Sequence, residues 1–492
     1  MRKDDGNLKG NLKAATAKGF LWGGMSNAVC QMLNLFFGIF LANILGPDDY
    51  GPIGMLAIFS AIAGSLQESG FVAALANRKQ VSHDDYNAVF WFNVISSLLL
   101  YVGLYFAAPL IADYFREPVL VPLARYSFIG FVVAGFGIAP SAYLFRELKV
   151  KQKSIALMLS IIVSGSVGVA MAISGYSYWG IATQGILYVL VRSLCSWWWS
   201  PWRPTWRVNF APLRYLFAFS YRLLVTNLFL RINCNIFSVI LGGNGYYTRA
   251  DVGNYTKANE WNMMGSETVN GMVNGVAQPV LARVAEDNER QLHVLRKMIR
   301  FTAFIAFPMM LGLSLVSREL IIVAITEKWI ESATMLQILC IWGAFIPIQS
   351  LFTNLLISRG RSRIYMWSTI VQGTLLTMML FVLRPYGISN MIVSYVVLNL
   401  MWLFVWHHFV RREIELTLPM LLRDILPYFA LSAAVMVATY MLTQTVENIY
   451  ILLPLRIAVA AAIYVCALLL FRSAELREAA DYIITRKTKV SQ

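Results

Sequence analysis

Charge is scarce in this chain: 14% of its residues are Asp, Glu, Lys or Arg, against about 25% in soluble domains. A soluble fold of 492 residues could not cover its surface with so few, which excludes the ordinary soluble enzymes. Cysteine is scarce too. Cys30, Cys195, Cys234, Cys340 and Cys466 stand singly inside apolar stretches, so neither a disulfide framework nor a pair with metal-ligand spacing emerges. The few histidines, His83, His293, His407 and His408, fall in or beside polar connectors, which leaves no metal site and no membrane proton relay. There is no nucleophile elbow, Walker loop or HExxH signature, so no catalytic constellation and no bound cofactor is expected.

What fills the chain is apolar: 58% of residues, at a mean hydropathy of +0.60. Fourteen runs are long enough to cross about 30 Å of hydrocarbon: 19–43, 52–76, 88–112, 121–144, 155–174, 178–200, 215–241, 252–280, 297–322, 333–357, 365–383, 388–410, 424–444 and 451–471. They are expected to be helices, because lone strands leave backbone groups unpaired in lipid. The first run is too long for a cleaved signal peptide, lacks a small-residue cleavage site after it, and ends in the turn Leu45-Gly46-Pro47-Asp48-Asp49-Tyr50-Gly51.

The net charge of +15 invites a nucleic-acid reading, but its distribution points elsewhere. The N-terminal segment and every second connector after it hold 29 of the 41 Lys and Arg residues; the alternate connectors hold Arg116, Arg249, Lys328 and Arg384, which with Lys257 just beyond one of them makes five. That asymmetry places both termini and the basic loops in the cytoplasm and makes the charge a topology signal. The expected organisation is a cytoplasmic segment 1–18, a first lobe 19–200, a cytoplasmic linker 201–214, a second lobe 215–410, a helix pair within 411–472 and a cytoplasmic tail 473–492. The outward loops are short, so whatever the chain does is done inside the bundle. Trp197, Trp198, Trp199 and Trp202 read as an aromatic belt at the cytoplasmic interface.

An internal echo supports two halves. Ile44-Leu45-Gly46 and Asp49-Tyr50-Gly51 follow the first span; Ile240-Leu241-Gly242 and Asp251-Val252-Gly253 follow the seventh. Such repeats occur in transporters, with substrate sites at the repeat interface.

Polar residues within spans mark the functional candidates, since they face the bundle interior or a watery cavity. In the eighth span Gly253, Lys257, Glu260, Glu267, Gly271, Asn274 and Gln278 share one helix face, and Lys257 can pair with Glu260 three residues on. In the seventh, Arg231 shares a side with Ser220, Asn227 and Ser238, and Arg222 shares another with Thr226 and Asn233. Glu68 sits deep in the second span beside Ser60, Gly64 and Gln67; Asn27, Gln31, Asn34 and Gly38 line one face of the first. Arg231, Asn227, Arg222, Lys257 and Asn274 are the candidates for holding an anionic substrate. Glu260, Glu267 and Glu68 are the candidates for a coupling ion, because a partly desolvated carboxylate takes up a proton or holds sodium. Packing of helices through small and amide residues is the competing account of these stripes.

Several segments together carry a resemblance. They are Ala14-Ala15-Thr16-Ala17-Lys18-Gly19-Phe20-Leu21-Trp22, Leu41-Ala42-Asn43-Ile44-Leu45-Gly46-Pro47-Asp48-Asp49-Tyr50-Gly51, Glu68-Ser69-Gly70-Phe71, Asp85-Tyr86-Asn87, Val252-Gly253-Asn254-Tyr255-Thr256-Lys257-Ala258 and Gln278-Pro279-Val280-Leu281. The series resembles the Wzx-type, WzxC-like polysaccharide flippases of the MOP exporter superfamily. The resemblance implies an all-α membrane protein of about 14 helices: two six-helix lobes around a central cavity, plus a C-terminal helix pair. It implies a bacterial inner-membrane transporter that moves undecaprenyl-diphosphate-linked oligosaccharide from the cytoplasmic to the periplasmic leaflet by alternating access. An H+ or Na+ gradient is the candidate driver, and membrane lipids and polysaccharide assembly proteins are the further partners. The rival readings are a multidrug/cation antiporter or a lipid II flippase of the same superfamily, and a polysaccharide polymerase or ligase.

Overall fold

A computed structural model describes residues 28–68, 81–147, 149–207 and 209–470, together with Ser26 and Leu75. Among them there is no strand. The helices are α1 (Ala28–Ile44), α2 (Pro47–Glu68), α3 (His83–Phe115), α4 (Leu120–Ser127), α5 (Ile129–Arg146), α6 (Val150–Ile173), α7 (Tyr178–Trp199) and α8 (Ala211–Gly242). They continue with α9 (Arg249–Arg283), α10 (Asn288–Ile325), α11 (Ile330–Gly343), α12 (Ile346–Ser358), α13 (Ser362–Leu383), α14 (Ile388–Ile414), α15 (Leu418–Thr443) and α16 (Ile449–Leu470).

Eleven spans among the described residues are long and apolar enough to cross a membrane, so this is a multi-span membrane protein. Two of them are helix pairs: α4 with α5, broken at Phe128, and α11 with α12, broken before Pro347. The other three runs read as spans are helical but fall outside this set. α1 is short over its described residues, Gln184 and Arg192 interrupt α7, and α9 is too polar for its 35 residues to count as apolar.

The chain folds as two compact units that divide between Gly253 and Asn254. In the first, α6 and α7 lie against each other, α5 packs on α7 and α3, and α8 lies along α2. Small residues set these approaches: Gly135 meets Ser97 and Gly137 meets Ser193, leaving no room for a Cβ. α3 begins in a capping box, with Ser82 accepting from the Asp85 N–H and Asp85 accepting from the Ser82 N–H at 2.8 Å. The link after α7 is stitched to the start of α3. Asn87 Nδ2 donates to the Arg207 carbonyl at 2.6 Å, and Trp91 Nε1 donates to that of Thr205 at 2.8 Å. In the second unit the 38-residue α10 is the hub, and α11, α12, α15 and α16 all pack on it. Leu295, Ile299, Ala303, Ala306 and Met310, fully buried, form its seam.

The echo turns meet. Asp49 accepts from the Gly46 N–H at 2.9 Å before α2, and Asp251 accepts from the Thr248 N–H at 2.7 Å before α9. A Cβ on Gly51 would overlap the Arg249 carbonyl, and a Cβ on Gly253 would overlap the Pro47 carbonyl. The contact is reciprocal at an offset of 202 residues, which pairs Pro47 with Arg249, Asp49 with Asp251 and Gly51 with Gly253. The other half of the echo, Ile44-Leu45-Gly46 against Ile240-Leu241-Gly242, runs at an offset of 196 and is therefore out of register with it. The six extra residues after Gly242 hold the short helix Gly243–Gly245.

Candidate functional site

α8 presents Asn227, Arg231 and Cys234 along one exposed face, while Thr226 and Phe237, a quarter-turn away, are buried. Arg231 stands seven residues inside the span Leu224–Gly242. Its backbone carbonyl accepts from Asn235 Nδ2 at 2.8 Å, and its guanidinium has no partner among the described residues. The side chains of Arg222 and Glu68, and those of Gln67 and Asn27, lie outside the described residues.

α9 is polar on two faces. On the first, Glu260, Glu267, Gly271, Asn274 and Gln278 are exposed. Lys257 differs from them: it is 2% exposed, and its Nζ donates to Glu260 Oε2 at 2.9 Å. The expected pair is therefore formed, with the lysine turned inward and the half-exposed glutamate covering it. Glu267 accepts from Asn270 Nδ2 at 3.2 Å. The Asn274 side-chain oxygen accepts from Ser350 Oγ and Asn354 Nδ2, both at 2.7 Å, which binds it to α12. Of this stripe, Glu260 and Glu267 are exposed and bonded only within α9 among the described residues, Lys257 is buried beneath Glu260, and Asn274 is bound to α12.

The second polar face is buried and sequence reasoning missed it. Asn254, Asn262, Ser266 and Asn270 lie on it. Asn254 donates to Glu331 Oε2 at 2.9 Å and accepts from Ser332 Oγ at 2.8 Å, both from the start of α11. Asn262 fits where Gly343 leaves room. The i, i+4 spacing of 262, 266 and 270 was the available signal. Also unread were two ion pairs that hold the C-terminal helices to α10. Arg296 forks onto the buried Asp424 of α15 at 2.7 and 3.0 Å. Arg456 of α16 meets Glu319 at 2.8 Å with both side chains under 10% exposed. No group of His, Cys, Asp or Glu among the described residues is arranged to hold a metal ion.

An exposed cation in mid-span with no partner among the described residues, and two exposed carboxylates on α9, one paired with Lys257 and one hydrogen-bonded by Asn270, suit a polar solute crossing the membrane. WzxC, a lipopolysaccharide biosynthesis protein of Escherichia coli, is 23% identical over 360 residues, covering 71% of each chain. TuaB, a teichuronic acid biosynthesis protein of Bacillus subtilis, is 23% identical over 456 residues, 90% of this chain and 92% of that one. The inward closed structure of the lipid II flippase MurJ superposes with a TM-score of 0.74 at 14% identity, over 92% of this chain and 99% of that one. The fold is thus that of MurJ. The sequence model of one family, described as polysaccharide biosynthesis protein, matches residues 40–334, from the end of α1 into α11. On that match, which takes in the meeting turns, α8 and the whole of α9, the chain belongs to the polysaccharide biosynthesis protein family.

Proposed function

We propose that the chain is a flippase, not an enzyme, carrying a polyprenyl-diphosphate-linked oligosaccharide from the cytoplasmic to the periplasmic leaflet of a bacterial inner membrane by alternating access. The observation that carries this is Arg231, a guanidinium in mid-span with no partner among the described residues and with Asn227 one turn before it. A lone arginine in hydrocarbon costs at least ~2.5–3.5 kcal/mol, so its side of α8 is a place for water or an anion. A diphosphate matches it, because the guanidinium fork binds phosphate oxygens through charge-assisted hydrogen bonds. A cationic drug does not match it. Family membership supplies the sugar. Both termini face the cytoplasm on this reading, as the split of 29 basic residues to five requires. Glu260 and Glu267 are exposed on α9 and are the coupling-ion candidates, for H+ or Na+, with Glu68 a third.

The test is reconstitution of the full chain in vesicles with a fluorescent undecaprenyl-diphosphate oligosaccharide in one leaflet. Flipping should raise the fraction open to a membrane-impermeant quencher, and a cationic dye should not be moved. Dye transport with no flipping would overturn the proposal.

A further inference from the structure

Between α13 and α14, on a face the transport reading does not use, lies a groove of ≈ 580 Å³. Trp367, Val371, Trp402 and Phe409 wall it, and Arg361 and Arg363 stand at one end. Its floor is preformed. Trp402 Nε1 donates to Ser368 Oγ at 3.1 Å, and one turn deeper Gln372 Nε2 donates to Asn399 Oδ1 at 2.9 Å. These interhelical hydrogen bonds hold the helices in register while Trp367, 53% exposed, opens outward. From Arg363 to Val371 the wall runs about 12 Å along the helix, most of the ~15 Å depth of one leaflet.

The two arginines are not equivalent. Arg361 Nε is paired with Glu413 at 2.8 Å. Arg363 is exposed and has no partner among the described residues. It lies in the first turn of α13, where backbone N–H groups also point outward. α14 ends at the same level, with Arg411 and Arg412 in its last turn. An apolar slot of leaflet depth with an unpaired guanidinium at its interfacial end has the chemistry of an acyl chain below a phosphate, and basic pockets between spans bind anionic head groups.

We propose that this groove is a binding site for an anionic phospholipid, with its phosphate on Arg363 and one chain along Trp367, Val371, Trp402 and Phe409. The site depends on which end of the groove is basic and not on which compartment that end faces. It therefore stands apart from the transport reading.

The full-length protein, delipidated in detergent, is titrated with dioleoylphosphatidylglycerol or dioleoylphosphatidylcholine, and bound lipids are counted by native mass spectrometry. One tightly held phosphatidylglycerol is expected that phosphatidylcholine does not replace. Arg363→Gln should weaken it about fivefold, the contribution of one interfacial arginine, and leave phosphatidylcholine binding unchanged. Val405→Trp fills the slot and should remove the tight lipid with all arginines present. Arg290→Gln, in the first turn of α10, should change nothing. Unaltered thermal midpoints in lipid-free detergent show that the variants fold, and the Arg363 result stands alone if the tryptophan variant does not. Equal binding of the two lipids, or phosphatidylglycerol held undiminished by Arg363→Gln, overturns the proposal. So does displacement of that lipid by undecaprenyl phosphate at equal concentration, since the slot would then belong to the polyprenyl chain.

Discussion

Arg231 is the residue on which the chemistry turns. Arg231→Ala should insert normally and abolish flipping in the vesicle assay, while Arg231→Lys should restore part of it, since lysine keeps the charge and loses the fork. An alanine variant that transports at the wild-type rate would remove Arg231 from the pathway. The glutamates of α9 separate by their surroundings. Glu267 is open and hydrogen-bonded only by a neutral amide among the described residues, so Glu267→Gln should leave stability unchanged and abolish the response of transport to an ion gradient. Glu260 covers a buried ammonium. Glu260→Gln should therefore lower the thermal midpoint as well, because the ion pair with the buried Lys257 is lost. Gradient-dependent transport unchanged in both variants would make the stripe structural. The Lys257–Glu260 pair was legible in the sequence, since residues three apart adjoin on any helix. That Lys257 turns inward was not legible, because spacing gives the face of a residue and says nothing of what packs beside it.

Among the elements, α9 shows most plainly what spacing leaves out. Its charged face stood out against apolar neighbours, whereas Asn262, Ser266 and Asn270 carry no charge and only the fold shows them to be the packed side. Breaks at Phe128 and before Pro347 lay inside runs long and apolar enough on average to read as single spans, so mean hydropathy did not mark them. The echo was readable only where two backbones touch and a side chain is forbidden. Gly51→Ala and Gly253→Ala should each cost about 1–3 kcal/mol, as overpacking does. The double variant should cost less than the sum, because one shift of α2 against α9 relieves both. Thermal or denaturant unfolding of the three proteins measures this, and strict additivity would mean the two glycines do not share a contact. The C-terminal helices are held by charge. Glu319→Leu strands Arg456 and should cost about 3–5 kcal/mol, most of which Glu319→Leu with Arg456→Met should recover. A double variant as weak as the single would show that the pair contributes through more than mutual neutralisation.

For the molecule as a whole, the sequence made the helical membrane character plain, because 58% apolar residues in runs of spanning length admit little else. Where the compact units divide, between Gly253 and Asn254, has no mark in hydropathy, because the division falls within the continuous helix α9. Orientation is tested by single cysteines in an otherwise cysteine-free chain. Lys151→Cys and Arg361→Cys should react with an impermeant maleimide only after the membrane is opened, whereas Asp49→Cys and Lys328→Cys should react in intact cells. Labelling of position 151 from outside would invert the topology. The meeting turns carry one more implication. Six segments of spanning length, α2, α3, α4 with α5, α6, α7 and α8, separate the start of α2 from that of α9. Six is even, so both turns open on one side of the membrane, as their contact requires, and the repeat is parallel, not inverted. In an inverted repeat, exchanging the shapes of the two halves converts an inward-open protein into an outward-open one, and the two states are mirror versions of one design. A parallel repeat has no such exchange. On the alternating-access reading, inward and outward states would be built from different contacts, and nothing in the duplication would oblige them to be equal in energy.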